Sequence, residues 1–169
     1  MDKNRYSKWI DNSQNLKWID IILIGEAQGL GKLDVELIEE FSKLKINSRI
    51  DKERIAKNRH MVLSQLWVMG AYELIRLINE IIKMQNKINC EAKLKLKEVL
   101  TIFTEIRIPL TKFKKSGKTK LYSQVTWPYY DSKKGIGWKL IDGKSKTKII
   151  YRKDLGDSLL ELLKQLKFS

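Results

Sequence analysis

The only histidine of the chain, His60, lies six residues after an arginine, Arg54. An imidazole that titrates near neutral pH can take up and release a proton during catalysis, and a guanidinium can hold a phosphate group. His60 also lies near the start of the most apolar run of helical length in the sequence, 58–86. Arg54 and His60 are therefore the candidate catalytic pair, and the alternative is an ordinary histidine near a helix start.

The R-x5-H spacing of Arg54 and His60 resembles the R-x4–6-H signature of HEPN-domain ribonucleases, which are helical bundles. The resemblance implies metal-independent RNA cleavage, usually across a dimer interface, with His60 in proton transfer and Arg54 on the phosphate. It covers only these few residues, and Ile55 stands where the family usually has a polar residue.

Polar side chains interrupt the same apolar run at Gln65, Tyr72, Glu73 and Arg76. Buried charges must be paired and hydrogen-bonded, because an isolated one costs several kcal/mol. Arg107 has a similarly apolar context and could converge on the same place. These five residues are the candidate for a buried polar pocket that receives a nucleotide, a phosphate or a partner group. The alternative is a structural salt bridge beside a buried tyrosine.

Positive charge is concentrated in one segment, Arg107 to Lys153, which has 14 lysines and arginines against two acidic residues. This segment carries a net charge of +12, whereas the rest of the chain carries +2. Seven of the 15 aromatic residues also lie there: Phe113, Tyr122, Trp127, Tyr129, Tyr130, Trp138 and Tyr151. Lysines attract phosphates in a salt-dependent way, and exposed aromatic rings can stack on unpaired bases.

The basic segment predicts an intracellular nucleic-acid-binding protein, with RNA or single-stranded DNA favoured as partner. The predicted phosphate contacts are Lys112, Lys114, Lys115, Lys118, Lys120, Lys144, Lys146 and Lys148. The alternative is a protein–protein adaptor whose basic face meets an acidic protein. A third interpretation is that the lysines only make the protein soluble, and that Trp127, Trp138 and Tyr151 only pack the hairpin onto the helices.

The composition, with 43% hydrophobic and 32% charged residues, is typical of a globular protein with one domain of 169 residues. The longest uncharged run of the central helix, Met61 to Tyr72, is too short to span a bilayer, so no membrane is expected. One cysteine, Cys90, fits a reducing cytoplasm. With one histidine and one cysteine, the usual zinc ligand sets are excluded, whereas a magnesium site held by carboxylates is not. We predict no metal and no cofactor. A homodimer is allowed.

Hydrophobic periodicity predicts helices over Gln14–Gln28, Lys32–Lys45 and Glu91–Arg107, together with the central helix, which starts between Asp51 and Asn58 and ends near Asn86. The first two are separated by a stop at Gly29–Gly31, and Pro109 ends the helix after Arg107. A strand is expected over Leu121–Thr126, broken at Trp127–Pro128. A hairpin follows over Gly135–Ile141 and Thr147–Tyr151, and the last helix covers Leu155–Lys167 with Asp154 as its N-cap.

Together these elements predict a mainly α fold, a helical bundle of four to five helices with a β-hairpin inserted before the C-terminal helix. The single domain divides into a helical core over 1–108, a basic, aromatic-rich insertion with β structure over 109–153, and a C-terminal helix over 154–169 that returns to the core.

Overall fold

The computed structural model describes residues 3–44, 51–85, 90–111, 124–141 and 147–166, and every structural statement concerns these parts. They form five α-helices and a three-stranded antiparallel sheet, which precedes the last helix. The helices are α1 (Lys3–Ser13), α2 (Ile21–Lys43), α3 (Asp51–Gln85), α4 (Cys90–Thr111) and α5 (Arg152–Gln165). The strands are β1 (Gln124–Asp131), β2 (Gly135–Ile141) and β3 (Thr147–Tyr151), in the order β1-β2-β3. The predicted fold class is confirmed.

The central helix α3 packs against α2 on one side and α4 on the other, and its Trp67, Ile75 and Ile78 are completely buried. The helix α5 closes the core against α1 and α4, and the inner face of the sheet packs onto it. Val62 and Leu66 of α3 are exposed. Neighbouring elements therefore cover α3 on two sides and leave part of its apolar surface exposed.

The helix α2 runs unbroken through Gly29 and Gly31, so the predicted stop between two helices is wrong. The helix begins at Ile21 because Asp20 caps it, with its carboxylate accepting a hydrogen bond from the Ile22 backbone N–H at 2.8 Å. Residues 14–16 form a short 3-10 turn instead of the predicted helix start. Residues 3–13, for which no helix was predicted, form α1, which buries Trp9 against Gly31.

Two predicted boundaries at prolines are also wrong. The strand β1 passes through Trp127 and Pro128, with a register shift between Val125 and Pro128. An edge strand tolerates a proline because one side of its backbone lacks a strand partner. The helix α4 continues past Pro109 to Thr111, where a missing N–H removes only one hydrogen bond near the helix end.

The last helix starts three residues earlier than predicted, at Arg152, directly after β3. Its N-cap residue is Tyr151, whose backbone is extended and whose side chain makes no cap hydrogen bond. Asp154, the predicted cap, lies in the first turn, where a carboxylate stabilises the positive end of the helix dipole.

A completely buried carboxylate, Asp34 of α2, joins three helices. It accepts a hydrogen bond from Arg5 Nε of α1 at 2.6 Å and from Trp9 Nε1 at 3.0 Å. Its other oxygen pairs with Arg152 Nη1 of α5, which is also buried. Arg5 Nη1 also forms an ion pair with the carboxylate of Asp157, at 2.5 Å. Ion pairing and hydrogen bonding offset the large cost of burying the charge of Asp34.

Within the described parts of the chain, the segment Lys57–Met84 of α3 is the one helix long and apolar enough to cross a bilayer, judged by length and composition alone. The core helix of a soluble protein passes the same test. In this fold α2 and α4 pack on α3, and 39% of its most apolar window is buried.

Candidate nucleic-acid interface

Two tyrosines face each other across the central strand of the sheet. Tyr129 of β1 pairs with Gly137 of β2, and Gly137 pairs with Tyr151 of β3. The ring centroids of Tyr129 and Tyr151 are 6.2 Å apart, and the rings meet edge to face at 70°. A Cβ on Gly137 would lie 2.9 Å from Tyr151 Cδ1 and 2.9 Å from the Ile150 carbonyl oxygen. The missing side chain of Gly137 therefore lets the two rings meet.

The alternation of side chains along the strands puts this aromatic pair on the outer face of the sheet. On the inner face, Ile136, Trp138 and Ile150 are buried against the helices. Tyr129 is 42% exposed, whereas Tyr151 is partly exposed. We call the Tyr129–Gly137–Tyr151 row, together with the lysines beside it, the tyrosine platform.

Lysines border the tyrosine platform. Lys134 Nζ lies 4.8 Å from the centroid of the Tyr151 ring, within the range of a cation–π contact, and 3.2 Å from the Asp154 carboxylate. Lys133 beside it is exposed. Lys139 is two residues after Gly137 in β2, so it lies on the same outer face of the sheet. Lys134 and Lys139 therefore lie beside the two rings, and Lys133 lies in the adjoining turn.

The turn between β1 and β2 holds Lys133 and Lys134 in place. The Asp131 carboxylate accepts hydrogen bonds from the backbone N–H groups of Lys134 at 2.8 Å and of Lys133 at 2.9 Å. These two bonds lower the pKa of Asp131, so this carboxylate is ionised at neutral pH. Gly135 closes the turn with φ at 84°, a conformation that L side chains rarely adopt.

A small pocket of about 110 Å³ lies beneath this turn, between the turn and α2. Its apolar wall includes Phe41, on which the inward-facing Tyr130 stacks with a ring separation of 6.5 Å. Arg152 and His60 reach the pocket from the protein interior, whereas Lys133 and Lys134 reach it from the surface. The pocket therefore belongs to the underside of the tyrosine platform.

His60 lies inside the protein, with 2% of its surface exposed. Its Nε2 is 2.8 Å from the carbonyl oxygen of Leu37, which can only accept, so Nε2 carries the proton. Its Nδ1 lies 3.5 Å from the hydroxyl of Ser64, which can donate to it. Burial lowers the pKa of His60 below its usual value, so the ring is neutral at pH 7.

The structure does not bring Arg54 and His60 onto one face of α3. Six residues turn an α-helix by about 600°, which leaves the two side chains about 120° apart. Arg54 is exposed, whereas both ring nitrogens of His60 have hydrogen-bond partners within α2 and α3. An HEPN-like ribonuclease would need the His60 ring to reach a phosphate. The structural alternative, a histidine that joins two core helices, fits this geometry better.

The polar residues of α3 meet Arg107 of α4 at the surface. Arg76 Nε lies 2.7 Å from the Glu73 carboxylate, and Arg107 Nη2 lies 3.9 Å from it. The Arg107 guanidinium also lies 4.6 Å from the centroid of the Tyr72 ring. The side chains of Arg76, Glu73 and Arg107 are 38%, 46% and 36% exposed, so they form a surface ion-pair cluster and not a buried pocket. Gln65 is half-buried on the same face of α3.

Most of the predicted phosphate contacts lie outside the described residues: Lys112, Lys114, Lys115, Lys118, Lys120, Lys144 and Lys146. Lys148 of β3 is described and exposed, and its Nζ lies 2.8 Å from the Glu105 carboxylate of α4. Trp138 is completely buried, so it packs the sheet onto the helices.

Sequence reasoning did not single out Tyr129 and Tyr151 among the seven aromatic residues of the basic segment. The sequence around Gly137 does indicate which side chains face outward. Ile136 and Trp138 must lie on the inner face of the strand, so Gly137 lies on the outer face. The register of β1 is also needed, because it places Tyr129 beside Gly137. The strand break expected at Pro128 excluded Tyr129 from the predicted sheet.

Among the described residues, no group of three or more His, Cys, Asp or Glu side chains could hold a metal ion.

In comparisons with known proteins, no family model, curated protein or solved structure matches this chain.

Proposed function

We propose that this protein is an intracellular nucleic-acid-binding protein that holds single-stranded RNA or DNA on the tyrosine platform. The observation that carries the proposal is the pair of tyrosines on the outer face of the sheet, with Tyr129 42% exposed beside a lysine-rich turn. Sheet faces with exposed aromatic rings are a common surface for unpaired bases, because every base has a face that can stack.

Charge supports the same proposal. The segment from Arg107 to Lys153 carries 14 of the 34 basic residues and two of the 20 acidic residues. The residues of the platform lie inside this basic segment of the sequence, so the platform shares its excess of positive charge. Aromatic stacking and phosphate attraction are separate terms, and a single-stranded nucleic acid uses both. An acidic protein partner would use the charge but would not need the rings.

The direct experiment measures the affinity for fluorescently labelled single-stranded RNA and DNA of about 12 nucleotides by anisotropy, at about 50 mM and about 200 mM salt. We expect affinity to fall steeply with salt, because bound phosphates release counterions when lysines replace them. The Tyr129→Leu variant should bind about 5- to 100-fold more weakly, which corresponds to the loss of one stacking contact of ~1–3 kcal/mol.

The matched control is Tyr129→Phe, which keeps the ring and loses only the hydroxyl. It should retain most of the affinity, because stacking uses the ring face. Lys133→Gln should weaken binding, whereas Lys32→Gln, a change of the same charge on the exposed face of α2, should not. Equal affinities of Tyr129→Leu and the wild-type protein would refute the platform, and salt-independent binding would refute the role of the lysines. Binding of acidic proteins but of neither oligonucleotide would favour the adaptor alternative.

A further inference from the structure

An open apolar groove of about 500 Å³ runs between the end of α3 and the start of α4, away from the tyrosine platform. Its floor is formed by Ile82 of α3 and by Leu96 and Leu100 of α4. Ile82 is 3% exposed and Leu96 is 2% exposed, so the floor is continuous with the core. Leu100 is partly exposed at the groove wall. Leu100 therefore offers apolar surface to a partner at the groove wall without either helix unfolding.

The rim of the groove is basic on both sides. Lys83 borders it on α3, and Lys93 and Lys97 border it on α4. All three lysines are exposed, and no carboxylate among the described residues lines the groove. Lys93 and Lys97 are four residues apart and therefore lie on the same side of α4. The groove thus combines an apolar floor with positive charge on both edges.

The α4 side of the groove is one face of that helix. Lys93, Leu96, Lys97 and Leu100 follow one another at helical spacing, which places them along this face. At 1.5 Å per residue, the rise from Lys93 to Leu100 is about 10 Å. That length accommodates about two turns of a docked helix.

We propose that the groove between α3 and α4 binds an acidic amphipathic helix of a partner protein. Helices that dock in a groove between two other helices place apolar side chains at i, i+3, i+4 and i+7 on the floor. Glutamates or aspartates on both flanks of such a helix would face Lys83 on one side and Lys97 on the other. The proposal concerns a surface separate from the tyrosine platform and does not rest on the proposed nucleic-acid binding.

Other occupants fit the groove less well. A nucleic acid would place phosphates over Ile82, Leu96 and Leu100, which offer no hydrogen-bond donors from their side chains. Two copies of this chain joined groove to groove would bring like charges together. A flat anionic membrane would touch the lysines of the rim but would not fill a concave floor.

The experiment uses the full chain and a labelled synthetic helical peptide of about 18 residues, with leucines at helical spacing and glutamates on both flanks. Anisotropy should report saturable binding of this peptide. A peptide with the same leucines and with lysines in place of the glutamates should not bind, because the rim would repel it. Equal binding of the two peptides would overturn the proposal.

The decisive comparison is between two charge-reversal variants with the same net charge. Lys83→Glu with Lys97→Glu should weaken peptide binding by about 10-fold or more, because two attractive rim contacts become repulsive. Lys133→Glu with Lys139→Glu, on the tyrosine platform, should leave peptide binding within about twofold of wild type. An equal loss in both variants would mean that the peptide responds only to net charge, and it would overturn the proposal.

The same two variants separate this proposal from the proposed function. Oligonucleotide binding should be lost in the platform variant and retained in the rim variant, which is the opposite pattern to peptide binding. If the platform variant still binds oligonucleotide, the proposed function fails while the groove proposal stands. If an unlabelled oligonucleotide displaces the peptide from the Tyr129→Leu variant, or if the protein alone is a dimer that the rim variant dissociates, the groove has a different occupant.

A substitution in the apolar wall of the groove gives a second test, which does not depend on charge. Leu100→Gln keeps the size of the side chain, lies at a partly exposed position and removes apolar surface from the groove wall. Peptide binding should weaken several-fold while the thermal midpoint of unfolding stays close to that of wild type. Unchanged peptide affinity in this folded variant would show that the apolar wall takes no part and would also overturn the proposal.

Discussion

The side chain of His60 connects two helices of the core. Its Nε2 hydrogen bond to the Leu37 carbonyl oxygen and its contact with Ser64 join α3 to α2. The Phe41 ring lies against it, with the two ring centroids 5.5 Å apart. A protonated His60 would bring a charge into this apolar contact, and its Nδ1 could no longer accept from Ser64. The fold therefore depends on the neutral form of the ring.

The depressed pKa of His60 predicts a specific loss of stability in mild acid. In the unfolded chain the histidine titrates near pH 6.5, whereas burial lowers its pKa in the folded protein. Between these two values the unfolded state binds more protons, so the stability contributed by the neutral ring is present above about pH 6.5 and declines below it. The decline reaches at most about 1.4 kcal/mol per pH unit for one group.

The measurement is the free energy of unfolding in urea at several pH values between about 7.5 and 5 for wild type and His60→Gln. Glutamine can donate to Leu37 but does not titrate, so the variant should show a flatter dependence on pH. The carboxylates titrate in both proteins and cancel in the comparison. Parallel curves for the two proteins would contradict a depressed pKa at His60.

Residue types alone could not have shown which aromatic ring is exposed. Trp138 and Tyr151 lie in neighbouring strands of one predicted hairpin, yet the first is buried and the second belongs to the tyrosine platform. Only the register, which pairs Trp138 with Ile150 and Gly137 with Tyr151, separates them. The position of His60 likewise depends on a contact between residues 23 positions apart.

At the scale of elements, the two predicted strands of the hairpin and the extent of α3 agree with the structure, because these segments have a single clear periodicity. The predicted boundaries of elements are wrong where tertiary contacts outweigh the local conformational preference of the residues. Glycine at positions 29 and 31 disfavours a helix, but the core contacts of Ala27, Val35 and Leu37 hold α2 together across both. Sequence periodicity does not include that contribution.

The two glycines of α2 make a matched pair for testing this explanation. A Cβ on Gly31 would overlap the Trp9 side chain of α1, whereas a Cβ on Gly29 would meet nothing within 4 Å. Gly31→Ala should destabilise the protein by ~1–3 kcal/mol through overpacking, while Gly29→Ala should stabilise it by about 0.5–1 kcal/mol. Urea unfolding measures both. Stabilisation by both alanines would show that α1 does not pack closely on Gly31.

At the scale of the whole molecule, the buried Asp34 carboxylate sits where α1, α2 and α5 meet, with Arg5 and Arg152 as its charged partners. The amino acids that form this cluster are up to 152 positions apart. Local patterns could not have predicted it, because an aspartate in an amphipathic helix is normally on the exposed side. The ion pairs fix how the first and last helices approach the core.

Replacing Asp34 with Asn should destabilise the protein by ~3–5 kcal/mol, because the buried Arg152 guanidinium would lose its carboxylate. The control is Asp157→Asn, whose carboxylate is 52% exposed and pairs with Arg5 at the surface. That change should cost less than about 1 kcal/mol. Similar losses in the two variants, measured by urea unfolding near pH 7, would contradict a structural role specific to Asp34.

The contact between the first and last parts of the chain also has a consequence for how the protein is made. Side chains of Asn12, Asn15 and Trp18 donate hydrogen bonds to backbone carbonyl oxygens of α5 and the residue after it, each across 148 positions of sequence. At a synthesis rate of ~5–20 residues per second, these groups wait on the order of ten seconds for their partners to leave the ribosome. During that interval the side of α1 that α5 will cover is exposed to water and open to chaperones. These hydrogen bonds therefore form only after α5 has been released, however early the first four helices form.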